Sequence, residues 1–396
     1  MDDAADSFDV ICIGGAIIGS AAAYFLSESS DFDGSVLVVE PDWTYDKTST
    51  TRAGNSIREQ FSNPVNIKVS QFAMEFIENF HENTQVEDES PELNFRGTGY
   101  LFLATESGMD VLVEKHLIQE QEGATAQLLS VEELAKTFPY MSVEGLSGAS
   151  YGGLNEGSFD GWALLQGFRK RAIHNGVTYI KDRVVAIETS GTRVTSVQLE
   201  SGKHVSCGHL INSAGPRCDL IAKMVGLELP VEPRVRSSFV FACHEPIEQN
   251  VPLTITPEGV HFRREQQHYL TGTTPQADAR ADYDDLRVRS EEFEEQIWPV
   301  LAARVPQFDR ISIVTSWAGH YSVNMLDHNM VIGPASTLEN FYFANGFSGH
   351  GMQQSPAVGR GLTELITFGE YRTIDMSSLG YERVLKNEPF LELAVI

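Results

Sequence analysis

Residues 9–20 read Asp-Val-Ile-Cys-Ile-Gly-Gly-Ala-Ile-Ile-Gly-Ser, and residues 36–40 read Val-Leu-Val-Val-Glu. The apolar runs at 10–13 and 36–39 suit two parallel strands that are buried on both faces. The glycines after the first run predict a sharp turn into a helix of small residues. An acid, Glu40, ends the second run. This order of strand, glycine turn, helix, strand and acid is typical of a βαβ unit that binds a dinucleotide.

The glycine turn fits the G-x-G-x-x-G pattern with one departure. Gly14 and Gly19 hold the outer positions, and Ala16 takes the middle one, where a methyl group still permits fairly close approach of a phosphate. The predicted helix is Ser20–Ser27, and the backbone N–H groups that open it suit a bound pyrophosphate. Glu40 follows Gly19 by about 20 residues, the spacing expected for an acid that binds a ribose. The pattern does not distinguish FAD from NAD, and an ordinary strand-to-helix turn packed through its glycines is the alternative.

Length and charge narrow the class of protein. A chain of 396 residues can form two domains with a substantial core. The net charge of −26 argues against nucleic acid or an anionic membrane surface as a partner. No apolar run approaches the length of a membrane span, and the acidic N-terminus is neither a signal peptide nor a transit peptide. We therefore expect a protein of the cytoplasm, or of the mitochondrial matrix if a presequence has been removed.

No pattern indicates a metal site or a disulfide framework. The cysteines are scattered without a C-x-x-C pair, which is typical of buried thiols in a reducing compartment. No H-E-x-x-H or comparable cluster of metal ligands occurs. We therefore expect neither feature.

Features of a nucleotide-binding domain recur near residues 9–60, 180–225 and 315–365. A simple dehydrogenase with one N-terminal nucleotide domain does not return to its cofactor near the C-terminus. The sequence therefore predicts a discontinuous cofactor domain that is interrupted by a second, substrate-binding domain. The predicted ranges are 1–85, 145–232 and 315–375 for the first domain, 86–144 and 233–314 for the second, and 376–396 for a C-terminal tail.

Three motifs further along the chain point to one family. Residues 342–360 read Tyr-Phe-Ala-Asn-Gly-Phe-Ser-Gly-His-Gly-Met-Gln-Gln-Ser-Pro-Ala-Val-Gly-Arg, residues 317–321 read Trp-Ala-Gly-His-Tyr, and residues 211–216 read Ile-Asn-Ser-Ala-Gly-Pro. Together they resemble the D-amino-acid-oxidase/sarcosine-oxidase superfamily of FAD-dependent oxidoreductases, over nearly the whole chain. The resemblance implies an α/β fold with an α+β second domain. In it, a Rossmann-like FAD-binding domain is interrupted by a substrate domain built on a largely antiparallel sheet, as in glycine oxidase.

The resemblance also implies which residues hold FAD. The turn at 346–351 would bring backbone N–H groups to the flavin edge where negative charge develops on reduction. Val184 would lie against the adenine, and Ala214 and Gly215 would lie behind the ADP moiety. The loop 49–56 would run along the pyrophosphate and the flavin face. The predicted cofactor-binding residues are Gly14, Ala16, Ile17, Gly19, Glu40, Ser49, Thr50, Thr51, Gly54, Asn55, Ser56, Val184, Ser213, Ala214, Gly215, Gly319, Gly346, Ser348, Gly349, His350, Gly351 and Met352.

Departures from the family pattern affect how the flavin is attached and re-oxidised. Some relatives bind FAD covalently through a Cys at the position of Gly319, and others through a His where Arg52 stands. Neither nucleophile is present, so we expect non-covalent FAD. Sarcosine oxidases have an oxygen-activating Lys where this chain has Leu270. This difference favours dehydrogenase chemistry over oxidase chemistry, with the electron acceptor left open among oxygen, a quinone and an electron-transfer protein.

Substrate contacts are expected near the flavin. Two residues of the relatives are replaced here, a carboxylate-binding Arg by Tyr321 and the Lys that follows the G-H-G element by Gln353. Arg58 is then the best candidate to bind a substrate carboxylate with both guanidinium arms, and an ion pair at a helix start is its alternative. His261 and Arg263 lie two apart on a predicted strand, so they share a face that lines the pocket or one that meets water. The expected substrate contacts are Arg58, His261, Arg263, Tyr321 and His350, with His350 able to contribute only its backbone N–H.

The leading hypothesis is an FAD enzyme that oxidises the C–N bond of an amino acid, an N-methyl amino acid or a related secondary amine by hydride transfer to flavin N5. One alternative is a flavoprotein that acts mainly in assembling a respiratory complex and binds its subunits, since one branch of the superfamily is implicated in that role. The other is an NAD-linked dehydrogenase. A small-molecule amine or amino acid is the expected partner, and nucleic acid is not.

Overall fold

The structure is a computed structural model that describes residues 6–393. Within that range the strands are β1 (Ser7–Ile13), β2 (Val36–Val39), β3 (Ser56–Ile57), β4 (Tyr100–Ala104), β5 (Gln127–Leu129), β6 (Gly148–Tyr151), β7 (Gly157–Ser158), β8 (Thr178–Ile180), β9 (Val184–Ser190), β10 (Arg193–Leu199), β11 (His204–Asn212), β12 (Val231–Cys243), β13 (Leu253–Ile255), β14 (His261–Glu265), β15 (His268–Gly272), β16 (Ile311–Asn324), β17 (Val331–Ala335) and β18 (Leu338–Asn345). The α-helices of the same range are α1 (Ile17–Glu28), α2 (Pro64–Glu78), α3 (Phe80–Thr84), α4 (Glu106–Gln121), α5 (Val131–Thr137), α6 (Gly161–His174), α7 (Cys218–Met224), α8 (Ser290–Glu292), α9 (Trp298–Arg304), α10 (Gly351–Phe368) and α11 (Glu382–Lys386).

The first sheet has the strand order β17-β18-β11-β1-β2-β8, and β9 and β10 extend it through β11. Its strands from β18 to β8 run parallel to one another. Because β1 lies between β11 and β2, Val10 and Ile11 are fully buried. Buried apolar runs of this kind are typical of parallel strands covered on both faces. The βαβ unit predicted from the first forty residues is present.

Helix α1 brings the two ends of the chain together. It begins directly after the glycine turn and is buried along most of its length. Its small residues allow close approach of α10, since a Cβ added to Gly359 would lie 2.7 Å from the Ala21 carbonyl oxygen. The turn that precedes α10 and the turn that precedes α1 both line the cavity described below.

The second sheet has the order β16-β12-β15-β14-β13-β4-β6-β5. Its strand pairs are antiparallel except for β13 with β4, which confirms the prediction of a largely antiparallel sheet. One face buries an aromatic core that includes Phe239, Phe241, Phe262 and Phe308. The other face of its central strands is turned toward the first sheet and forms part of the candidate site.

Sheet membership differs from the predicted ranges at two places. Strand β6 and most of β16 belong to the second sheet, although they fall in ranges predicted for the FAD-binding domain. The run Gly-Ala-Ser-Tyr of β6 has no apolar pattern that would indicate its sheet, and β16 is long enough to run from the second sheet to the cofactor region. The division into domains as such stays a prediction. No helix within residues 6–393 has the length and apolar character that crossing a bilayer requires.

Candidate active site

A cavity of ≈ 630 Å³ lies between the two sheets. This volume is within the range of sites for small molecules and cofactors, about 300–1,000 Å³. Its wall includes the turn before α1, the turn before α10, the loop after β2 and the inner face of β13 to β15. The convergence of both chain ends on one bound molecule, which the motifs predict, is therefore geometrically possible.

The turn before α1 is a close approach of three backbone segments. Gly14 has φ +96°, and its N–H donates to the Val39 carbonyl oxygen at 2.9 Å. The Ser213 hydroxyl donates to the Gly14 carbonyl oxygen at 2.9 Å, which joins this turn to the end of β11. A Cβ on Gly19 would overlap that same Gly14 oxygen. The turn is thus shaped by residues without side chains, and its backbone is open to the cavity.

Glu40 ends β2 with its carboxylate beside this turn. It is 5% exposed, and its oxygens accept from the Gly15 N–H at 2.8 Å and the Asp42 N–H at 2.9 Å. Burial raises the pKa of Glu40, and the two amide hydrogen bonds oppose that shift. Each oxygen keeps a free lone pair, so the carboxylate can also accept hydroxyl groups from the cavity that it lines.

The turn before α10 has the geometry of an anion site. Gly346, Ser348 and Gly349 adopt φ of +68°, +50° and +96°, and α10 begins at Gly351. No side chain caps the N-terminus of the helix, whose first residues line the cavity. The positive end of a helix dipole with free N–H groups favours negative charge, including that of a reduced flavin.

The loop after β2 is fixed to both halves of the cavity. The Ser49 hydroxyl donates to the His320 carbonyl oxygen of β16 at 2.7 Å, and the Thr50 hydroxyl accepts from the Ile17 N–H at 3.2 Å. The Thr51 hydroxyl points away from the cavity and donates to the Tyr45 carbonyl oxygen at 2.6 Å. Thr51 therefore stabilises the loop, whereas Ser49 and Thr50 line the cavity.

Most of the predicted cofactor residues are brought together. Those that line the cavity are Gly14, Ala16, Ile17, Glu40, Ser49, Thr50, Gly54, Asn55, Ser56, Val184, Ser213, Ala214, Gly215, Gly319, Gly346, Ser348, Gly349, His350, Gly351 and Met352. Gly19 and Thr51 do not line it, because Gly19 packs on Gly14 and Thr51 on Tyr45. Their roles in the structure are to shape the turn and the loop that do.

Arg58 is a buried guanidinium without a carboxylate partner. It is 8% exposed, and its guanidinium carbon lies 4.7 Å from the ring centre of Phe61 and 5.3 Å from that of Phe102. It forms no ion pair within 4.0 Å with any carboxylate of residues 6–393, and its Nε has no hydrogen-bond partner. The ion pair at a helix start, the alternative for this residue, is not present.

The ring of His350 is the polar neighbour of Arg58. Its Nε2 lies 3.1 Å from Nη2 of Arg58. Because an arginine nitrogen can only donate, Nε2 accepts, and the proton of the neutral ring is on Nδ1. Burial, and secondly the charge of Arg58, lower the pKa of His350 to about 3. His350 therefore places a neutral imidazole ring beside Arg58, and both residues line the cavity.

His261 and Arg263 both line the cavity from β14, which is the first of the two alternatives for this strand. Arg263 is already engaged, since it contacts Glu265 at 2.7 Å and donates to the Gly54 carbonyl oxygen at 2.8 Å. Burial, and secondly the charge of Arg263, lower the pKa of His261 to about 4. His261 is thus a neutral ring, and Arg263 ties the second sheet to the loop that carries Gly54.

Tyr321 packs its ring against Gly349, where a Cβ would overlap it. The guanidinium of Arg236 lies 5.2 Å from the ring centre of Tyr321 and binds both oxygens of Asp278, at 2.7 and 2.8 Å. Burial raises the pKa of Tyr321, which keeps the phenol protonated at neutral pH. This aromatic wall lies beside the turn before α10.

Tyr100 and Arg236 are among the cavity residues that were not found from the sequence. Tyr100 lines it with its hydroxyl 2.6 Å from the Ser56 hydroxyl, and Arg236 supports Tyr321. The glycines at 97 and 99 are a signal that could have marked Tyr100, since a strand that opens with glycines often lies close to a ligand or another backbone. Arg236 lies in the interior of β12 and has no such signal.

Over residues 9–365 this chain matches the family described as DAO: FAD dependent oxidoreductase. The chain belongs to this family. FAD-dependent oxidoreductase domain-containing protein 1 of Xenopus laevis is 36% identical over 422 residues, which cover 98% of this chain and 85% of that protein. Sarcosine oxidase subunit beta of Rhizobium meliloti (strain 1021) is 24% identical over 91% of this chain and 85% of that protein.

Solved structures support the fold of this DAO-family chain. The crystal structure of L-proline dehydrogenase from P. horikoshii has a TM-score of 0.86 at 24% identity, covering 98% of this chain and 100% of that one. The fold class and the family predicted from the motifs are confirmed. The protein is an FAD-dependent oxidoreductase, so the alternative of an NAD-linked dehydrogenase is set aside.

The residues around the cavity of this DAO-family protein fit FAD. Its wall combines a dinucleotide turn, a buried acid at the end of β2 and an uncapped helix start. The Asn345 amide and the Gln353 Nε2 also line the cavity and have no hydrogen-bond partner in the described residues, so they are available to the polar edge of a ligand. A turn open at Gly14 suits the pyrophosphate, and the uncapped start of α10 suits the flavin.

Proposed function

We propose that this chain oxidises the C–N bond of an amino acid, an N-methyl amino acid or a related secondary amine, with its FAD bound non-covalently. The observation that carries the proposal is Arg58, a buried guanidinium at the cavity wall that has no carboxylate partner in residues 6–393. A buried charge without a partner is costly, and a ligand carboxylate would complete it with two charge-assisted hydrogen bonds. The other arginines that line the cavity each have a carboxylate within 4.0 Å; they are Arg52, Arg183, Arg217, Arg236 and Arg263.

The residues of the cavity have distinct roles in this proposal. Arg58 binds the substrate carboxylate, and His350, a neutral acceptor for Arg58, orients the guanidinium. Tyr321 and Tyr100 exclude water from the region between the sheets. The turns before α1 and α10 would hold FAD, which would supply the hydride-accepting chemistry for oxidation of the carbon next to the substrate nitrogen. His261 is a neutral ring that can hydrogen-bond the substrate nitrogen, and its lowered pKa keeps it uncharged at neutral pH.

Non-covalent attachment is supported by the residues at the two tethering positions. Gly319 carries no nucleophile, and Arg52, which lies against it, donates to the Ala318 carbonyl oxygen at 3.0 Å. None of the cysteines in the described residues lines the cavity. We therefore expect FAD to be released into solution when the protein is denatured with acid.

A dehydrogenase is favoured over an oxidase. Leu270 lines the cavity, is 3% exposed and lies where the oxygen-activating Lys would be. A cation there would stabilise the negative charge that forms when oxygen accepts an electron, and an isobutyl group cannot. The role in respiratory-complex assembly stays a prediction, as does the compartment.

The substrate class is supported by the molecule that appears in the name of one relative. Sarcosine, the substrate in the name of the Rhizobium meliloti protein, is a secondary amine that bears a carboxylate. Such a molecule offers Arg58 a carboxylate and presents a C–N bond next to it. The proposal extends this pattern to the present chain without fixing the substituents.

Anaerobic titration of the purified yellow protein with free and N-methylated amino acids tests the proposal. We expect bleaching of the flavin absorbance near 450 nm by at least one member of the panel, and slow recovery when air is admitted. Matched amines that lack the carboxylate should bleach it much less. Bleaching by NADH but by no amine, or equal bleaching by amines with and without a carboxylate, would overturn the proposal. Fast recovery in air would overturn the dehydrogenase assignment only.

A further inference from the structure

The segment that carries Arg58 has little regular structure of its own. It lies between the two-residue strand β3 and the start of α2. The guanidinium has one hydrogen-bonding neighbour, His350, and otherwise rests among aromatic rings. Its orientation therefore depends on how the backbone from 58 to 60 is fixed.

A buried carboxylate fixes that backbone. Oε1 of Glu156 accepts from the Glu59 N–H at 2.7 Å, and Oε2 accepts from Nε2 of Gln60 at 2.7 Å. Glu156 is 1% exposed and precedes β7, which pairs with β3, so it lies directly across from the end of that strand. It forms no ion pair within 4.0 Å with any described cation, so it does not act as a direct partner of Arg58.

Gln60 extends the contact to the second sheet. Its Nε2 also donates to the Tyr100 carbonyl oxygen at 3.2 Å, and its Oε1 accepts from the Ser150 hydroxyl at 2.6 Å. A second acceptor, Oε1 of Gln353, takes the Arg58 N–H at 2.9 Å. The backbone on both sides of the guanidinium is thus held by side chains from distant parts of the sequence.

We propose that Glu156 is a positioning residue for substrate binding, which orients Arg58 through the Glu59 N–H and the Gln60 amide. The inference rests on the proposed function, since it assumes that Arg58 binds the substrate carboxylate. Burying a carboxylate costs free energy, and removing it would leave two buried donors unsatisfied. Burial raises the pKa of Glu156 to about 7. The titratable groups that interact electrostatically with its carboxylate are Arg58, Glu59, Lys115 and Tyr151.

The test variant is Glu156→Asp, which keeps the charge but shortens the reach by one methylene, so both hydrogen bonds cannot be kept. The matched control is Glu364→Asp, because Glu364 is also 1% exposed and accepts two backbone N–H groups, from Arg372 and Thr373, but does not line the cavity. The probe is acetate, titrated into the holoprotein and followed by the flavin spectrum, with acetamide as the neutral counterpart.

We expect Glu156→Asp to raise the Kd of acetate about tenfold, the loss of one hydrogen bond to a charged group. The Kd of acetamide and the flavin content should stay as in the parent, and Glu364→Asp should change neither ligand. In an Arg58→Lys background, which keeps a charge but needs no planar orientation, Glu156→Asp should change the Kd of acetate less than about twofold.

Unchanged acetate binding in Glu156→Asp, or the same weakening in both the Arg58 and the Lys background, would overturn the inference. If the variant loses its flavin, Gln60→Met replaces it. This change removes the Gln60 arm of the Glu156 contact, together with the bonds to Tyr100 and Ser150, and keeps the arm from the Glu59 N–H. An unchanged Kd of acetate in Gln60→Met would also overturn the inference. A different result would overturn the proposed role of Arg58: the Kd of acetate would then be the same in Arg58→Lys as in the parent protein.

Discussion

One wall of the cavity consists mainly of backbone atoms, and the other consists mainly of side chains. The cofactor wall is made largely of backbone, with Gly14, Gly346 and Gly349 in positive φ and two helix starts that line the cavity. The substrate wall is made of side chains that stand in rows on the second sheet, where Tyr100 pairs with Leu253 and Arg263 with Leu270. Backbone can bind any molecule that carries the same phosphates and ring edge. Side chains distinguish one substrate from another.

This difference predicts how each wall responds to substitution. A backbone wall tolerates changes of side chain where there is room and fails where a Cβ meets another backbone atom. A side-chain wall keeps its fold when one residue is truncated and loses recognition instead. The three predictions below contrast the walls, beginning with the strongest effect.

The largest effect is expected from Gly19→Ala, because Gly19 packs directly behind Gly14 of the cofactor wall. The new methyl group would overlap the Gly14 carbonyl oxygen, which is fixed by the Ser213 hydroxyl. Overlap with backbone cannot be relieved by a rotamer change, so α1 would have to move away from the turn. We expect little folded, flavin-containing protein, measured as the ratio of absorbance at 450 nm to that at 280 nm after purification.

Gly54→Ala is the matched control, because Gly54 also borders the cavity and no atom lies within 4 Å of its added Cβ. It should yield holoprotein like the parent. Equal flavin content in both variants would contradict the idea that close backbone contact shapes the cofactor wall.

The same contrast explains which parts of the site could be predicted from sequence. The dinucleotide turn is encoded by contiguous residues, so Gly14, Glu40 and the flanking strands could be assigned without any knowledge of the fold. The turn before α10 was found because its glycine-rich motif is specific to the family. Positions such as Gly19 were assigned to the ligand although they act through packing, since a pattern does not tell contact with FAD from contact with Gly14.

The substrate wall could be predicted only in part. His261 and Arg263 were placed on one face by their spacing of two, but the choice between cavity and water depended on the partner strands. Arg263 is paired because Glu265 lies on the same strand. Arg58 has no carboxylate partner because of how distant segments fold around it. Glu156 contacts the segment next to Arg58 across nearly one hundred residues of chain, and one amino-acid sequence by itself carries no signal of that contact.

A second prediction compares two arginines of the site. Arg58→Met should lower kcat/KM for a carboxylate-bearing amine by about 100-fold, because two charge-assisted hydrogen bonds to the substrate are lost. Flavin content should be unchanged. Arg263→Met should leave KM within about threefold and lower the thermal midpoint instead, since Glu265 loses its ion pair and Gly54 its hydrogen bond.

Steady-state kinetics and thermal unfolding monitored by flavin fluorescence measure both effects on the same samples. If Arg263→Met raised KM as much as Arg58→Met, the paired arginine would also contact substrate. The distinction between a substrate-binding and a structural guanidinium would then fail.

The smallest effect concerns pH and compares one histidine from each wall. The pKa values of His350 and His261 are lowered to about 3 and about 4, so both rings stay neutral in the folded protein where they would be protonated in the unfolded chain. The unfolded state then binds more protons between about pH 4 and pH 6.5, and stability falls as pH is lowered through that window. We expect the fall in thermal midpoint between pH 7.5 and pH 5.5 to shrink by about 2 °C in His350→Gln and in His261→Gln.

The exposed His81 serves as the control, and His81→Gln should leave the fall in thermal midpoint unchanged. An equal change in both buried variants would show that burial, common to the two walls, sets this dependence. A change in His350→Gln alone would show that the charge of Arg58 beside it matters more than burial.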